Sequence, residues 1–124
     1  MRKFHKTLRN DERGTTAVEF AIVAPVFIVL LVGMLYLCLS LLLVGSLHYA
    51  VEEGARCASV RTTVCTDATS TVSYTKSRYF GPSAPTFTYA AAACGNSVSA
   101  SINYVMNLGL KQFTVPITAT ACFP

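Results

Sequence analysis

The sequence predicts an α+β protein: one long N-terminal helix that spans a membrane and continues into a small head with a roughly three-stranded antiparallel sheet. Three observations carry this prediction. No charged residue occurs from Phe20 to Val44. Small and apolar residues then recur at helical spacing as far as about Val60. In the last third of the chain, apolar and polar residues alternate between turn residues, as in half-buried strands. With 124 residues, the chain has room for one small domain beside the helix.

The uncharged run is long enough to cross a bilayer. Its 25 residues reach roughly 37 Å as a helix, more than the hydrocarbon core of roughly 30 Å. Signal-peptide cores have only about 7–15 apolar residues, so we expect this segment to remain as an anchor. Pro25 lies inside the run, removes one backbone hydrogen bond and is predicted to kink the helix. Thr15 and Thr16 are predicted caps at the helix start.

The head begins at residue 61, where Thr, Ser, Ala and Tyr become frequent. A short helix is predicted from Asp67 to Tyr79, with a strand over Thr71–Thr75 as the alternative. Pro116 places the last strand at a sheet edge. The predicted strands are Thr86–Cys94, Ser97–Met106 and Phe113–Cys122, joined by turns at Gly95-Asn96 and at Asn107–Leu110.

Four of the five cysteines lie beyond the span, and an even set in so small a domain predicts two disulfides in an oxidising compartment. The strand directions bring Cys122 back to the edge at which Cys94 lies, which favours Cys94–Cys122 and leaves Cys57–Cys65. A bond from Cys57 to either of the other two would instead join the helix to the sheet. Zinc is disfavoured because no Cys-x-x-Cys occurs. Cys38, inside the span, is predicted to be a small apolar filler.

Charge is concentrated before the span. Residues 1–14 carry five basic and two acidic residues, whereas the remainder of the chain is close to +1. Basic residues next to a span remain on the cytoplasmic side, so the head is predicted to lie outside the cytoplasm. A nearly neutral head lacks the electrostatic footprint of a nucleic-acid-binding domain. Neither His5 nor His48 lies in a catalytic or metal-binding pattern, and no phosphate-binding or nucleophile motif occurs. No enzyme activity, cofactor or metal is therefore predicted.

Glu19 is the unusual residue at the start of the run, because a carboxylate at the bilayer edge needs a cation or a proton. Pairing with Arg13 or solvation in the headgroup zone is the simplest interpretation for a membrane protein in general. However, the run Arg-Gly-Thr-Thr-Ala-Val-Glu-Phe-Ala-Ile-Val-Ala-Pro-Val-Phe, from Arg13 to Phe27, resembles the TadE-like minor pilins (pseudopilins) of tight-adherence secretion systems. These are relatives of type IV pilins, which have a basic leader ending in Gly and a glutamate at mature position five.

The resemblance implies a domain organisation and a set of site residues. A prepilin peptidase would cut between Gly14 and Thr15, which makes residues 1–14 a leader, 15–60 the membrane and extended helix, and 61–124 the head. Glu19, followed by Phe20, would serve assembly by pairing with the amino terminus of a neighbouring subunit. Pro25 would mark a point of local unwinding during packing. The added head argues for a priming, tip or regulatory subunit.

The implied partners are the peptidase, other major and minor pilins, the inner-membrane assembly platform and the lipid bilayer. The implied location is the bacterial inner membrane, with a cytoplasmic N-terminus and a periplasmic head, and with incorporation into a pilus as a further step. Two other functions stay open. One is an uncleaved single-span protein with a periplasmic binding or sensor head. The other is a secreted disulfide protein cut near Val44-Gly45-Ser46.

Overall fold

A computed structural model describes residues 12–107 and 111–124. Most of the predicted leader, up to residue 11, and part of the predicted turn, residues 108–110, lie outside the described residues. The described residues form two helices followed by three strands. These are α1 (Glu12–Val60), α2 (Ala68–Arg78), β1 (Thr86–Ala92), β2 (Gly95–Asn107) and β3 (Gln112–Phe123). The structure therefore confirms the α+β class, the long helix and the antiparallel sheet.

The chain divides into two compact units, residues 1–37 and 38–124, and α1 contributes to both. In the first unit α1 is continuous through Pro25. It begins at Glu12, so Thr15 and Thr16 lie inside the helix and do not cap it, contrary to the prediction. Apolar side chains are exposed all around this part of the helix, as in a membrane span.

The core of the second unit forms between α1 and one face of the sheet. Side chains on one stripe of α1 are buried at intervals of one, three and four residues, as expected for a packed helix face. Alternate residues of β2 are buried opposite them, as expected for a strand with one face on the core. The α1 stripe is Leu43, Leu47, Ala50, Val51 and Ala55, and the β2 residues are Val98, Ala100, Ile102 and Tyr104.

Helix α2 forms as predicted, and the alternative strand over the same residues is wrong. Asp67 caps α2 and accepts a hydrogen bond of 2.7 Å from the backbone N–H of Ser70. Thr71 and Thr75 are buried, and each hydroxyl donates to the carbonyl oxygen four residues earlier, at 2.8 Å. Since these hydroxyls are satisfied within α2, their burial leaves no unpaired donor. Gly54 of α1 faces Thr75, and a Cβ there would overlap the Thr75 Oγ1 atom.

The three strands form an antiparallel meander in the order β1-β2-β3, which places Pro116 on an edge strand, as predicted. The first turn differs from the prediction. Ala92 pairs with Gly95, so the turn lies at Ala93-Cys94 and Gly95 already belongs to β2. Gly95 has φ 118°, a conformation that only glycine adopts readily. Gly95, which was predicted to lie in the turn, is therefore the first residue after it.

Both disulfides of the second unit lie at one end of the sheet. The helix-end disulfide joins Cys57 to Cys65, and the hairpin disulfide joins Cys94 to Cys122, with Cα atoms 5.8 and 6.2 Å apart. These are the two pairs that the strand directions favour. The hairpin disulfide spans only the distance between neighbouring strands. Cys94 lies in the turn immediately before β2, and β2 is the neighbour of β3, which carries Cys122.

Polar contacts join the same end of the sheet to α1. The Ser59 hydroxyl donates to the carbonyl oxygen of Phe123 at 3.0 Å, and the Asn96 side-chain amide donates to the Ser59 hydroxyl at 2.9 Å. The Tyr89 hydroxyl in turn donates to the Asn96 side-chain oxygen. These contacts connect α1 with all three strands. We call this end of the second unit, with its two disulfides, the distal end.

Candidate assembly site

The site residues predicted near the start of the apolar run share one exposed stretch of α1. Gly14, Thr15, Glu19 and Phe20 are all exposed, and Phe20 has 74% of its surface accessible. Thr15 and Glu19 are four residues apart in a continuous helix, so their side chains lie on the same face, about one turn apart. The structure thus brings the predicted cleavage point and the glutamate onto one accessible helix segment.

Five of the seven glycines fall into two groups when a Cβ atom is added. At Gly54 and Gly95 the added atom would overlap Thr75 Oγ1 and the Phe123 carbonyl oxygen respectively, so the fold itself requires glycine there. At Gly14, Gly33 and Gly45 the added atom would meet nothing within 4 Å. Packing among the described residues therefore gives no reason for glycine at position 14, where glycine also lowers helix stability.

Pro25 and Cys38 belong to the exposed apolar surface of α1. The helix is unbroken at Pro25, and the kink predicted there stays a prediction. Cys38 is a free, exposed cysteine, in keeping with a small apolar side chain in a lipid-facing helix. The other four cysteines form the helix-end and hairpin disulfides at the distal end.

Grooves lie on two surfaces of the head. A groove of ≈ 300 Å³ lies between α1 and β3, and its charged side chains, Glu52, Glu53 and Arg56, come from one helix surface. A shallower groove of ≈ 190 Å³ lies on the sheet face that points away from the core and is lined mainly by Ser and Thr. Among residues 12–107 and 111–124, no group of His, Cys, Asp or Glu is placed to hold a metal ion.

Two ionisable groups in the head have shifted pKa values, and both shifts have structural causes. The pKa of the Asp67 carboxyl is lowered, chiefly by the hydrogen bond from the Ser70 backbone N–H. The pKa of the Tyr79 hydroxyl is raised by burial. Its oxygen is enclosed and has no hydrogen-bond partner among the described residues, while its ring contacts the Phe87 ring edge to face at 6.1 Å. Both groups serve the packing of the head.

Sequence reasoning missed the residues that hold α1 against the rest of the head. Neither Ser59 nor Asn96 belongs to a recognisable motif, and their contact joins positions 37 residues apart. The requirement for glycine at position 54 was visible only as one member of a stripe of small residues. The partner of that stripe, Thr75 of α2, could not be identified from periodicity alone.

Comparison with known proteins gives a match to a family model. Residues 14–56 match the family model described as TadE-like protein. The matched segment covers roughly a third of the chain, begins at Gly14 and ends before the helix-end disulfide. It contains Thr15, Glu19, Phe20 and Pro25. No curated protein and no solved structure matches the chain.

Proposed function

We propose that the chain is a minor pilin, or pseudopilin, that takes part in assembly of a tight-adherence pilus, because residues 14–56 match the family model described as TadE-like protein. A prepilin peptidase removes residues 1–14, and the mature helix remains in the inner membrane until assembly. There Glu19 pairs with the amino terminus of a neighbouring subunit. The head, which the matched segment does not cover, fits a priming, tip or regulatory subunit better than a main fibre subunit.

One observation carries the proposal: Gly14 is exposed and its α-carbon faces open space, so a residue that the fold does not require stands next to the predicted cleavage point. A peptidase that works at the membrane surface needs a small residue at that position. Glu19 supports the same function, because it is exposed at the start of a lipid-facing helix, where a carboxylate is costly unless a cation meets it.

The first test is the amino terminus of the mature protein in cells that express the prepilin peptidase. We expect the mature chain to begin at Thr15. Gly14→Trp should leave the full-length precursor in the membrane. Gly45→Trp is a matched control, since Gly45 also faces open space on α1 and its substitution should leave processing unchanged. Normal processing of Gly14→Trp would refute cleavage at this position.

The second test concerns Glu19. Glu19→Ala should be cleaved and inserted normally but should lose crosslinking to partner pilins by about tenfold or more, which corresponds to a loss of about 1.4 kcal/mol of association energy. Glu52→Ala removes an exposed glutamate from the same helix beyond the apolar run and should have no such effect. Undiminished crosslinking of Glu19→Ala would show that the carboxylate does not mediate assembly.

These tests also distinguish the alternatives. An uncleaved single-span protein with a binding or sensor head would keep residues 1–14 in the mature chain. A secreted protein cut near Gly45 would lose the uncharged run and leave the membrane fraction. Neither alternative accounts for a glycine and a glutamate five residues apart on an exposed helix segment.

A further inference from the structure

The end of the β2–β3 hairpin opposite the distal end carries exposed apolar side chains. We call the described residues 105–107 and 111–115 the proximal end. Val105 is 49% exposed, Phe113 is 44% exposed and Val115 is 41% exposed. Exposed apolar side chains also occur at the distal end, so exposure alone does not identify a membrane contact, and the position and charge of the proximal end decide the question.

The position of the proximal end along α1 follows from two lengths within the second unit. Asn96 contacts Ser59, which fixes the start of β2 beside the end of α1. From Asn96 to Tyr104 the strand extends about 26 Å, and from Ser59 back to Leu43 the helix extends about 24 Å. Tyr104 and Leu43 are buried in the same core, so the strand and the helix run side by side.

Leu43 belongs to the uncharged run that ends at Val44. This run is longer than the hydrocarbon core, so its last residues lie where the helix leaves the membrane. Val105 and Phe113 lie beyond Tyr104 along the hairpin, farther from the distal end. At about 3.3 Å per residue, they lie about 3 and 7 Å past the level of Leu43, a depth that corresponds to the boundary between the lipid headgroups and the acyl chains.

Apolar side chains are exposed on both faces of the proximal end. Val115 pairs with Tyr104 and Phe113 pairs with Met106, so these side chains share the face that turns toward α1. Val105 points to the opposite face. A protein partner would cover one of these faces, whereas lipid surrounds an inserted element on both.

Charge along the sheet favours the same environment. Between Pro82 and Pro124 the sequence contains a single charged residue, Lys111. It lies at the proximal end, with its Nζ atom 5.9 Å from the centre of the Phe113 ring. An aromatic ring beside a lysine is typical of the membrane interface, where the ring contacts acyl chains and the ammonium reaches the phosphates.

We propose that the proximal end of the β2–β3 hairpin inserts into the phospholipid headgroup region beside α1, so that the head is held against the membrane at two points. This inference rests on the membrane anchoring in the proposed function. Val105, Phe113 and Val115 contact lipid, and Lys111 contacts lipid phosphate.

The absence of tryptophan from the sequence allows a direct test. The full chain carrying Phe113→Trp is reconstituted in vesicles of phosphatidylcholine and phosphatidylglycerol, with iodide equilibrated across the bilayer by freeze–thaw. Phe123→Trp is the matched control, because Phe123 is 38% exposed on the same strand but lies at the distal end. Val105→Trp tests the opposite face of the hairpin and gives a second probe if Phe113→Trp misfolds.

Fluorescence at positions 113 and 105 should be quenched by lipids with brominated acyl chains and should be about threefold less sensitive to iodide than fluorescence at position 123. Equal sensitivity to iodide at all three positions would overturn the proposal. Protection from iodide without quenching by bromine would also overturn it, because protein, such as a second copy of the chain, would then cover the hairpin.

Extraction with alkaline carbonate separates this proposal from the proposed function. If the protein resists extraction while position 113 stays open to iodide, the anchor is present and only the hairpin insertion is wrong. If carbonate extracts the protein, α1 is not a membrane anchor and both proposals fail.

Discussion

Replacement of Gly54 by alanine is the sharpest test of how α2 packs on α1. The added methyl group would overlap the Thr75 Oγ1 atom and would lie 3.1 and 3.2 Å from the Thr75 Cβ and Cγ2 atoms. Thr75 cannot easily turn away, because its hydroxyl donates to the Thr71 carbonyl oxygen at 2.8 Å and its side chain is fully buried. The helices must therefore separate, or this hydrogen bond must break.

Two opposing effects set the size of the change. Replacing glycine by alanine within a helix stabilises it by about 0.5–1 kcal/mol. Overpacking a buried contact costs about 1–3 kcal/mol. We expect Gly54→Ala to lower the free energy of unfolding of the head by about 1–2 kcal/mol. Gly45→Ala, where a Cβ meets nothing within 4 Å, should not lower it.

A double-mutant cycle identifies the contact responsible. Thr75→Ala removes the Oγ1 and Cγ2 atoms, so Gly54→Ala should cost about 1 kcal/mol less in that background. The measurement is urea unfolding in detergent micelles, followed by near-ultraviolet circular dichroism of the tyrosines with both disulfides intact. If Gly54→Ala were as stable as Gly45→Ala, or if its cost were the same in both Thr75 backgrounds, the proposed steric contact would be wrong.

Three further predictions use the same unfolding measurement. Replacing both cysteines of the hairpin disulfide by serine should lower the free energy of unfolding by about 3.6 kcal/mol, because this bond joins residues 28 positions apart. The same replacement in the helix-end disulfide, which joins residues 8 positions apart, should lower it by about 2.5 kcal/mol. A larger loss for the helix-end disulfide would contradict the chain-entropy argument. Tyr79→Phe should stabilise the head by about 1 kcal/mol, since it removes an enclosed hydroxyl without a partner; a loss of stability would imply a partner for that hydroxyl. The lowered pKa of Asp67 stabilises the folded head above about pH 4, and this contribution is lost as the pH falls through the folded-state pKa. Asp67→Asn should therefore reduce the loss of stability between neutral and acidic pH, and an unchanged pH profile would contradict the assignment.

The larger elements could be predicted from the sequence because each depends on a local pattern. The uncharged run and the stripe of small residues after it predicted that α1 ends at Val60, as it does. The alternation of apolar and polar residues predicted the bounds of β2 to within two residues. Asp67 gave the start of α2 because capping involves residues only three apart. The first turn was misplaced because glycine is common both within turns and directly after them, and only the pairing of Ala92 with Gly95 distinguishes the two.

The residues of the candidate assembly site could be placed together from the sequence for the same reason: they are nearly contiguous. Gly14, Thr15, Glu19 and Phe20 span seven positions on one helix, so no tertiary contact was needed to place them together. The proximal end of the hairpin could not be predicted, because its level depends on the contact between Ser59 and Asn96 and on strand register. Lys111 was visible as an isolated charge, but the sequence alone did not show that its ammonium group lies near the Phe113 ring.

The boundary of the TadE-like match allows the assembly function and the head to be tested separately. The match ends at residue 56, within α1, and therefore includes Gly54 but not the α2 residue that Gly54 contacts. A substitution at Gly54 changes the stability of the second unit, whereas Gly14 and Glu19 lie in the first unit. Variants at position 54 should thus alter head unfolding and leave processing intact, whereas variants at position 14 should do the reverse. If an unstable head prevented processing, cleavage would depend on the folded head and not only on the segment around Gly14.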